Sequence, residues 1–179
     1  MDGLAKLLKK LPHINAYVNH GDISPVLNAN PEISPSRLIP TVNDSILTIP
    51  QNTTSTTSCI VNIQFLHTPG HTHGSQCLLV NSELLLSGDT LFIGSCGRID
   101  FEDSDPKEMF TSLMTRLGNL PDNLIVYPGH DYGGAWTTIG KERANGALRK
   151  LPWEEWINNF SSSLPDDFSS EEDLPDTKH

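Results

Sequence analysis

Two hydrophobic periods divide the chain. Leu4, Leu7, Leu8 and Leu11 fall at i, i+3, i+4 and i+7, the single stripe of a short amphipathic helix that Pro12 ends. Asn15 to Val18 reads as a short strand. Residues 21–50 are rich in Pro, Asn and Ser and read as a loop with little regular structure, apart from a brief strand at Ser45 to Ile49. The polar Thr/Ser run from Gln51 to Ser58 reads as a hairpin insertion. From residue 60 the period drops to two. Ile60, Asn62, Gln64 and Leu66 share one face of a strand, with Val61, Ile63, Phe65 and His67 on the other. Cys77 to Val80 and Leu84 to Leu86 pair as a hairpin through Asn81-Ser82-Glu83. Asp105-Pro106-Lys107-Glu108 is a helix start, with Asp as N-cap, Pro at the first helical position and Glu three residues after the cap. Met109, Phe110, Leu113 and Leu117 continue its buried stripe, Leu124 to Tyr127 is the last core strand, and a helix spans Thr138 to Ala144. After Trp153 and Trp156 the chain turns to Ser, Asp and Glu, so Ser161 to His179 is expected to be an acidic, disordered tail. No internal repeat is visible.

Three of the apolar strands run into strong metal ligands: Thr68-Pro69-Gly70-His71-Thr72, Ser87-Gly88-Asp89-Thr90-Leu91 and Tyr127-Pro128-Gly129-His130-Asp131. Gly-His and Gly-Asp pairs are also ordinary turn residues. Three of them, each following a hydrophobic strand, favour a site over coincidence. Imidazole, carboxylate and imidazole are donors that zinc, iron and manganese accept.

Composition narrows the partners. The 179 residues carry a formal net charge of −10, which argues against nucleic acid or an anionic membrane. No apolar run approaches the ~20 residues needed to cross a bilayer. The first eleven residues hold Lys6, Lys9 and Lys10 but no Arg, and they include Asp2, the pattern of a surface helix rather than a transit peptide. Cytoplasmic placement is expected. Cys59, Cys77 and Cys96 are odd in number and widely spaced, which suits a reducing compartment and argues against a disulfide framework or a thiolate zinc site. Cys77 reads as core, and Cys96 as a bystander in the Gly94-Ser95-Cys96-Gly97 loop.

The stretch from His67 to Arg149 resembles the metallo-β-lactamase superfamily, in its glyoxalase II-like and persulfide dioxygenase-like branches. The strings that carry the resemblance are His67-Thr68-Pro69-Gly70-His71-Thr72-His73-Gly74-Ser75, Gly88-Asp89-Thr90-Leu91-Phe92, Cys96-Gly97-Arg98-Ile99-Asp100-Phe101 and Tyr127-Pro128-Gly129-His130-Asp131-Tyr132. It implies an α/β fold, the αβ/βα sandwich of that family, over residues 1–160. It also implies that His71 binds a first metal, His130 binds a second, and Asp89 bridges both and is the catalytic carboxylate. The implied cofactor is a two-zinc centre, or Fe2+ in the dioxygenase branch. The implied partner is a small thioester or glutathione-derived substrate. Arg98 would then meet a substrate carboxylate, or else pair with Asp100 or Asp103, and Tyr132 would contact the substrate. His67 reads as core or as support for the site, and His73 as a position that varies in the family. His13, His20 and His179 carry no signal. The family's upstream His-x-His-x-Asp-His string does not occur here, and Met1 to Leu8 resembles the helix that follows it. The sandwich is therefore expected to be incomplete at the N-terminus, with apolar sheet surface uncovered. Three readings follow: a thioester hydrolase, a mononuclear-iron persulfide dioxygenase, or a non-catalytic fragment.

Overall fold

Two sheets of unequal size organise the computed structural model, which describes residues 2–50 and 60–160. In the smaller sheet β1 (Ala16–Asn19) pairs in parallel with β2 (Leu38–Thr41). The larger has six strands in sequence order: β3 (Ile46–Pro50), β4 (Ile60–His67), β5 (Gln76–Val80), β6 (Leu84–Gly88), β7 (Ile125–Pro128) and β8 (Thr137–Thr138). All neighbours are antiparallel except β6 and β7, which are parallel. It follows that β4, β6 and β7 run the same way and end on one edge of the sheet. The helices are α1 (Asp2–Lys10), α2 (His20–Ala29), α3 (Pro106–Thr111), α4 (Ile139–Asn145) and α5 (Trp153–Phe160), with a π-helical turn at Ser112–Arg116 that continues α3 and short 3-10 turns at Pro35–Arg37 and Leu117–Asn119. Among the described residues no helix is long and apolar enough to cross a membrane. The hairpin expected at Gln51 to Ser58 and the tail at Ser161 to His179 lie outside the described residues.

The expected starts and stops are mostly present. Asp105 accepts from the amides of Lys107 and Glu108 and caps α3, with Pro106 at its first position. Thr138 caps α4 by accepting from Lys141 N–H. Val80 O accepts from Glu83 N–H across Asn81 and Ser82, both at positive φ (51° and 58°), which is the primed turn that a tight antiparallel hairpin prefers.

One expectation fails. Residues 21–50 are not a loop with little regular structure, because besides the expected strand they contain most of α2 and all of β2. Ile23, Val26 and Leu27 lie at i, i+3 and i+4 and face a small core with Leu8, Ile33 and Leu38. Asn19 starts α2 by accepting from Gly21 N–H, and the helix carries Pro25 inside it. The prolines obscured this stripe in the sequence, since a buried apolar face can hold a helix through one missing amide bond. Pro40 is tolerated in β2 because the sheet has only two strands, so β2 is an edge. A second helix, α5, was not expected either. Trp153, Trp156, Ile157 and Phe160 make its apolar stripe, and Trp156 is fully buried.

The main core lies on one face of the large sheet. Leu66, Cys77, Leu85 and Val126 from the strands meet Met109, Leu113, Leu117, Ile139 and Trp156 from the helices. The opposite face is apolar too, as the register Phe65, Leu78, Leu86, Tyr127 shows. Phe65 there is covered by Tyr17 of β1, ring centroids 5.9 Å apart, while Leu86, Ile125 and Tyr127 stay exposed.

Candidate active site

The loop after β4 carries His71 across the common strand edge. Thr68 N–H donates to Ser75 O and Gly70 N–H to Thr72 O, closing the loop on itself. Gly70 sits at φ +139°, and a Cβ there would lie 2.4 Å from the backbone of Met109, so only glycine lets the loop rest on the start of α3. Asp22 of α2 holds the other side: Oδ2 accepts from Thr72 Oγ1 at 2.8 Å and Oδ1 from Gly74 N–H at 2.9 Å. His67 closes the loop's base. Its Nε2 is 2.9 Å from His73 O, while Nδ1 meets Asn43. His67 is therefore a support, and His73 points to Glu108 at 3.7 Å.

Asp89 follows a bulge. Leu86 pairs with Tyr127 and Gly88 with Pro128, so Ser87 is an extra residue in β6. Its buried hydroxyl donates to Leu91 O, and Gly88 turns at φ +53°. His130 continues β7, where Gly129 N–H donates to Gly88 O at 2.9 Å. A Cβ on Gly129 would meet Asp89 Oδ1 at 2.7 Å.

These elements bring the three expected ligands together. Asp89 Oδ2 lies 3.5 Å from His71 Nε2, and Oδ1 lies 3.5 Å from His130 Nε2. Each carboxylate oxygen thus faces one imidazole. His71 Nδ1 donates to Arg98 O at 3.0 Å, which leaves the Nε2 lone pair turned towards Asp89. The Phe101 ring meets His71 edge-on at 5.1 Å. On the far side Tyr132 stacks on His130 at 5.2 Å, and Phe92 packs edge-on against both. The side chains are open to solvent, His130 the most at 53% and His71 the least at 24%. Donor chemistry and tautomer suit a divalent cation. Among the described residues, however, no three His, Cys, Asp or Glu side chains form a group able to hold a metal ion together. The arrangement is two imidazoles sharing one carboxylate rather than a closed cage.

Arg98 takes the intramolecular alternative: Nε donates to Asp100 Oδ1 at 2.9 Å and Nη2 to Oδ2 at 3.1 Å. This fully exposed pair holds the Asp100 carboxyl below its ordinary value and the guanidinium above its own. Both described cysteines are buried thiols. Burial pushes Cys96 up to about 12 and Cys77 up to about 11, the latter moderated by the Thr68 and Thr90 hydroxyls. Neither is a nucleophile near neutral pH. Sequence reasoning missed Asp22, Gly97 and Glu142. Gly97 sits against His71, where a Cβ would lie 3.1 Å from Nδ1. Asp22 lies far from the motifs along the chain, and Glu142, although it follows the His130 motif closely, carries no local sign of burial.

Comparison with known proteins gives a consistent picture. Residues 3–130 match the family model described as the metallo-beta-lactamase superfamily. A mitochondrial persulfide dioxygenase of Mus musculus is 36% identical over 91 residues, covering 50% of this chain and 36% of that protein. A probable hydroxyacylglutathione hydrolase of Schizosaccharomyces pombe is 44% identical over 75 residues, covering 40% of this chain and 28% of that protein. The chain thus spans under two-fifths of the length of these curated relatives. A solved metallo-beta-lactamase from Staphylococcus aureus superposes with a TM-score of 0.70 at 25% identity, over 91% of this chain and 48% of that one.

Proposed function

The chain belongs to the metallo-beta-lactamase superfamily, and from that premise we propose that it is a metal-dependent hydrolase of a small thioester or related ester, with His71, Asp89 and His130 as metal ligands. One observation carries the reading: a single carboxylate offers one oxygen to each of two imidazoles, both at 3.5 Å. His71, Asp89 and His130 would hold zinc, with the Asp89 carboxylate serving both imidazole positions and offsetting the metal's charge. When bound, the metal supplies a water acidic enough to ionise near neutral pH and a positive charge for the developing oxyanion.

The chain's own groups prepare that chemistry. Donation from His71 Nδ1–H to Arg98 O selects the tautomer and fixes the ring, as supports of metal-bound histidine generally do. Tyr132 and Phe92 pack against the His130 ring and limit how it can turn. Arg98 lies one residue past Gly97, with its fork held flat by Asp100, and a substrate carboxylate can displace that exposed pairing. Tyr132, stacked on His130, borders the opposite flank, where it would contact the substrate. A glutathione-derived thioester in the cytoplasm fits these groups.

Similarity to the mouse persulfide dioxygenase favours a second reading, in which one iron is held by His71, Asp89 and a third donor. Three donors shared between two ions leave each under-coordinated, so this chain alone is expected to bind metal weakly and turn over slowly. The test is to purify the 179-residue chain, load it with zinc or with Fe2+ anaerobically, and assay S-lactoylglutathione and glutathione persulfide. Zinc-dependent thioester cleavage supports the hydrolase, and iron-dependent oxygen uptake with the persulfide replaces it with the second reading. Neither activity, with no metal retained, overturns both.

A further inference from the structure

We propose that Glu142 is the positioning residue of this site: from α4 it anchors the loop at residues 92–98, and that loop holds His71, Asp89 and His130 in their mutual orientation. Glu142 is only 3% exposed. A buried carboxylate is unusual unless something demands it. Among the described residues it forms no ion pair. Its two oxygens are instead divided between two neutral donors, Thr137 Oγ1 to Oε1 and Gly94 N–H to Oε2, each at 2.8 Å. The adjacent Arg143 points elsewhere, to the carbonyls of Gly118 and Leu120 and to Asp122. Space for the carboxylate is also reserved, because a Cβ on Gly146 would lie 1.8 Å from Oε2. Helix α4 and its C-terminal turn are thus shaped around one acid.

What that acid holds is a tight turn that touches every member of the site. Phe92 N–H donates to Ser95 O at 2.9 Å, and Gly94 adopts φ +76°, so the loop reverses within four residues. On the near side the Phe92 ring packs against His130 at 5.7 Å. On the far side Gly97 lies under the Asp89 carbonyl, and Arg98 O accepts from His71 Nδ1. Among the described residues, the Gly94 amide bond to Glu142 is the one hydrogen bond from this turn that reaches a helix. Releasing it frees the turn to rotate about its ends, which carries Arg98 O away from His71 and Phe92 away from His130. The expected result is loss of the single His71 tautomer.

The metal arm of this inference rests on the proposed function; the tautomer arm does not. The first measurement is imidazole nitrogen NMR of the metal-free full chain at about pH 8, where histidine is neutral. Wild type should show His71 as one Nδ1–H form, and E142A should show a mixture. E142Q keeps an acceptor for Gly94 N–H and an amide that can donate to the Thr137 hydroxyl, so it should restore the wild-type signal. If E142A does not fold, E142L fills a similar volume without an acceptor and replaces it. L8A, in the separate small core, controls for destabilisation alone and should leave His71 unchanged. The second measurement is zinc affinity, expected to fall about 10–100-fold in E142A or E142L and only slightly in E142Q. A wild-type tautomer in both E142A and E142L overturns the proposal, as does an equal change in L8A. Failure of wild type to bind zinc, with the tautomer results as expected, overturns the metal reading and leaves the anchoring intact.

Discussion

Replacing Gly97 with alanine tests the geometry most sharply. A Cβ at this position would stand 2.0 Å from the Asp89 carbonyl oxygen and 3.1 Å from His71 Nδ1. A relaxed carbon–oxygen contact needs ~3.3 Å, so something must move by roughly 1.3 Å. The obstructing atom is backbone and cannot rotate away. It is braced by the bulge at Ser87 and by the Thr90 N–H to Ser87 O bond. The loop at 92–98 is the softer partner, and its retreat takes Arg98 O from His71. Overpacking of this kind costs about 1–3 kcal/mol, which for a chain of this size lowers Tm by roughly 2–12 °C. Loss of the carbonyl behind His71 should in addition weaken zinc binding about 10-fold or more. Gly3 is the internal control. It lies in α1 with nothing within 4 Å of a built Cβ, so Gly3→Ala should be neutral or stabilise by up to about 1 kcal/mol. Thermal unfolding and zinc titration of both variants decide the matter. If Gly97→Ala melts with wild type and binds zinc equally, the close packing of this loop on the site is wrong.

Three further outcomes are expected. Asp89→Ala should abolish zinc binding and His130→Ala about halve its stoichiometry, read by zinc titration at equilibrium; equal losses would refute the role proposed for Asp89. Trp156→Ala should cost about 3–5 kcal/mol in urea unfolding, because the ring is fully buried among Phe110, Trp153 and Phe160 and donates to Ala147 O; a loss under ~1 kcal/mol would show that α5 does not pack as described. Cys77 and Cys96 have folded values near 11 and 12 against an ordinary 9.0, so their contribution is complete below pH 9 and is lost as pH rises towards 11–12, by up to ~1.4 kcal/mol per pH unit per thiol. Urea midpoints from pH 8 to 11 should therefore fall less steeply in Cys96→Ala than in wild type, and identical slopes would contradict the burial.

The positions where sequence and structure agree share a cause. The alternation from Ile60 to His67, the cap at Asp105 and the turn at Asn81-Ser82 are set by neighbours a few residues away, so their physics is readable locally. The meeting of His71, Asp89 and His130 was legible for a related reason, since each motif closes a strand and parallel strands end together. Helix α2 was hidden because Pro25 speaks against a helix while the face that stabilises it, Ile23, Val26 and Leu27, is buried by residues from α1 and β2. Glu142 and Asp22 were illegible for a stronger reason. The bonds that tie them to the site's loops, Glu142 to Gly94 and Asp22 to Gly74, span 48 and 52 residues, and no local pattern encodes such a bond. The pairing of Arg98 with Asp100, two residues apart, was within reach and was one of the alternatives that the sequence left open.

The extra residue at Ser87 makes the spacing of Asp89 and His130 a matter of counting. Asp89 faces His130 only because β6 contains one unit more than the stretch of β7 beside it. Deleting a single codon there would restore an unbroken ladder, and side-chain alternation would swing the aspartate to the opposite surface of the sheet. Point substitutions in these strands can erode packing by degrees, whereas loss of that one position would disassemble the site in a single step.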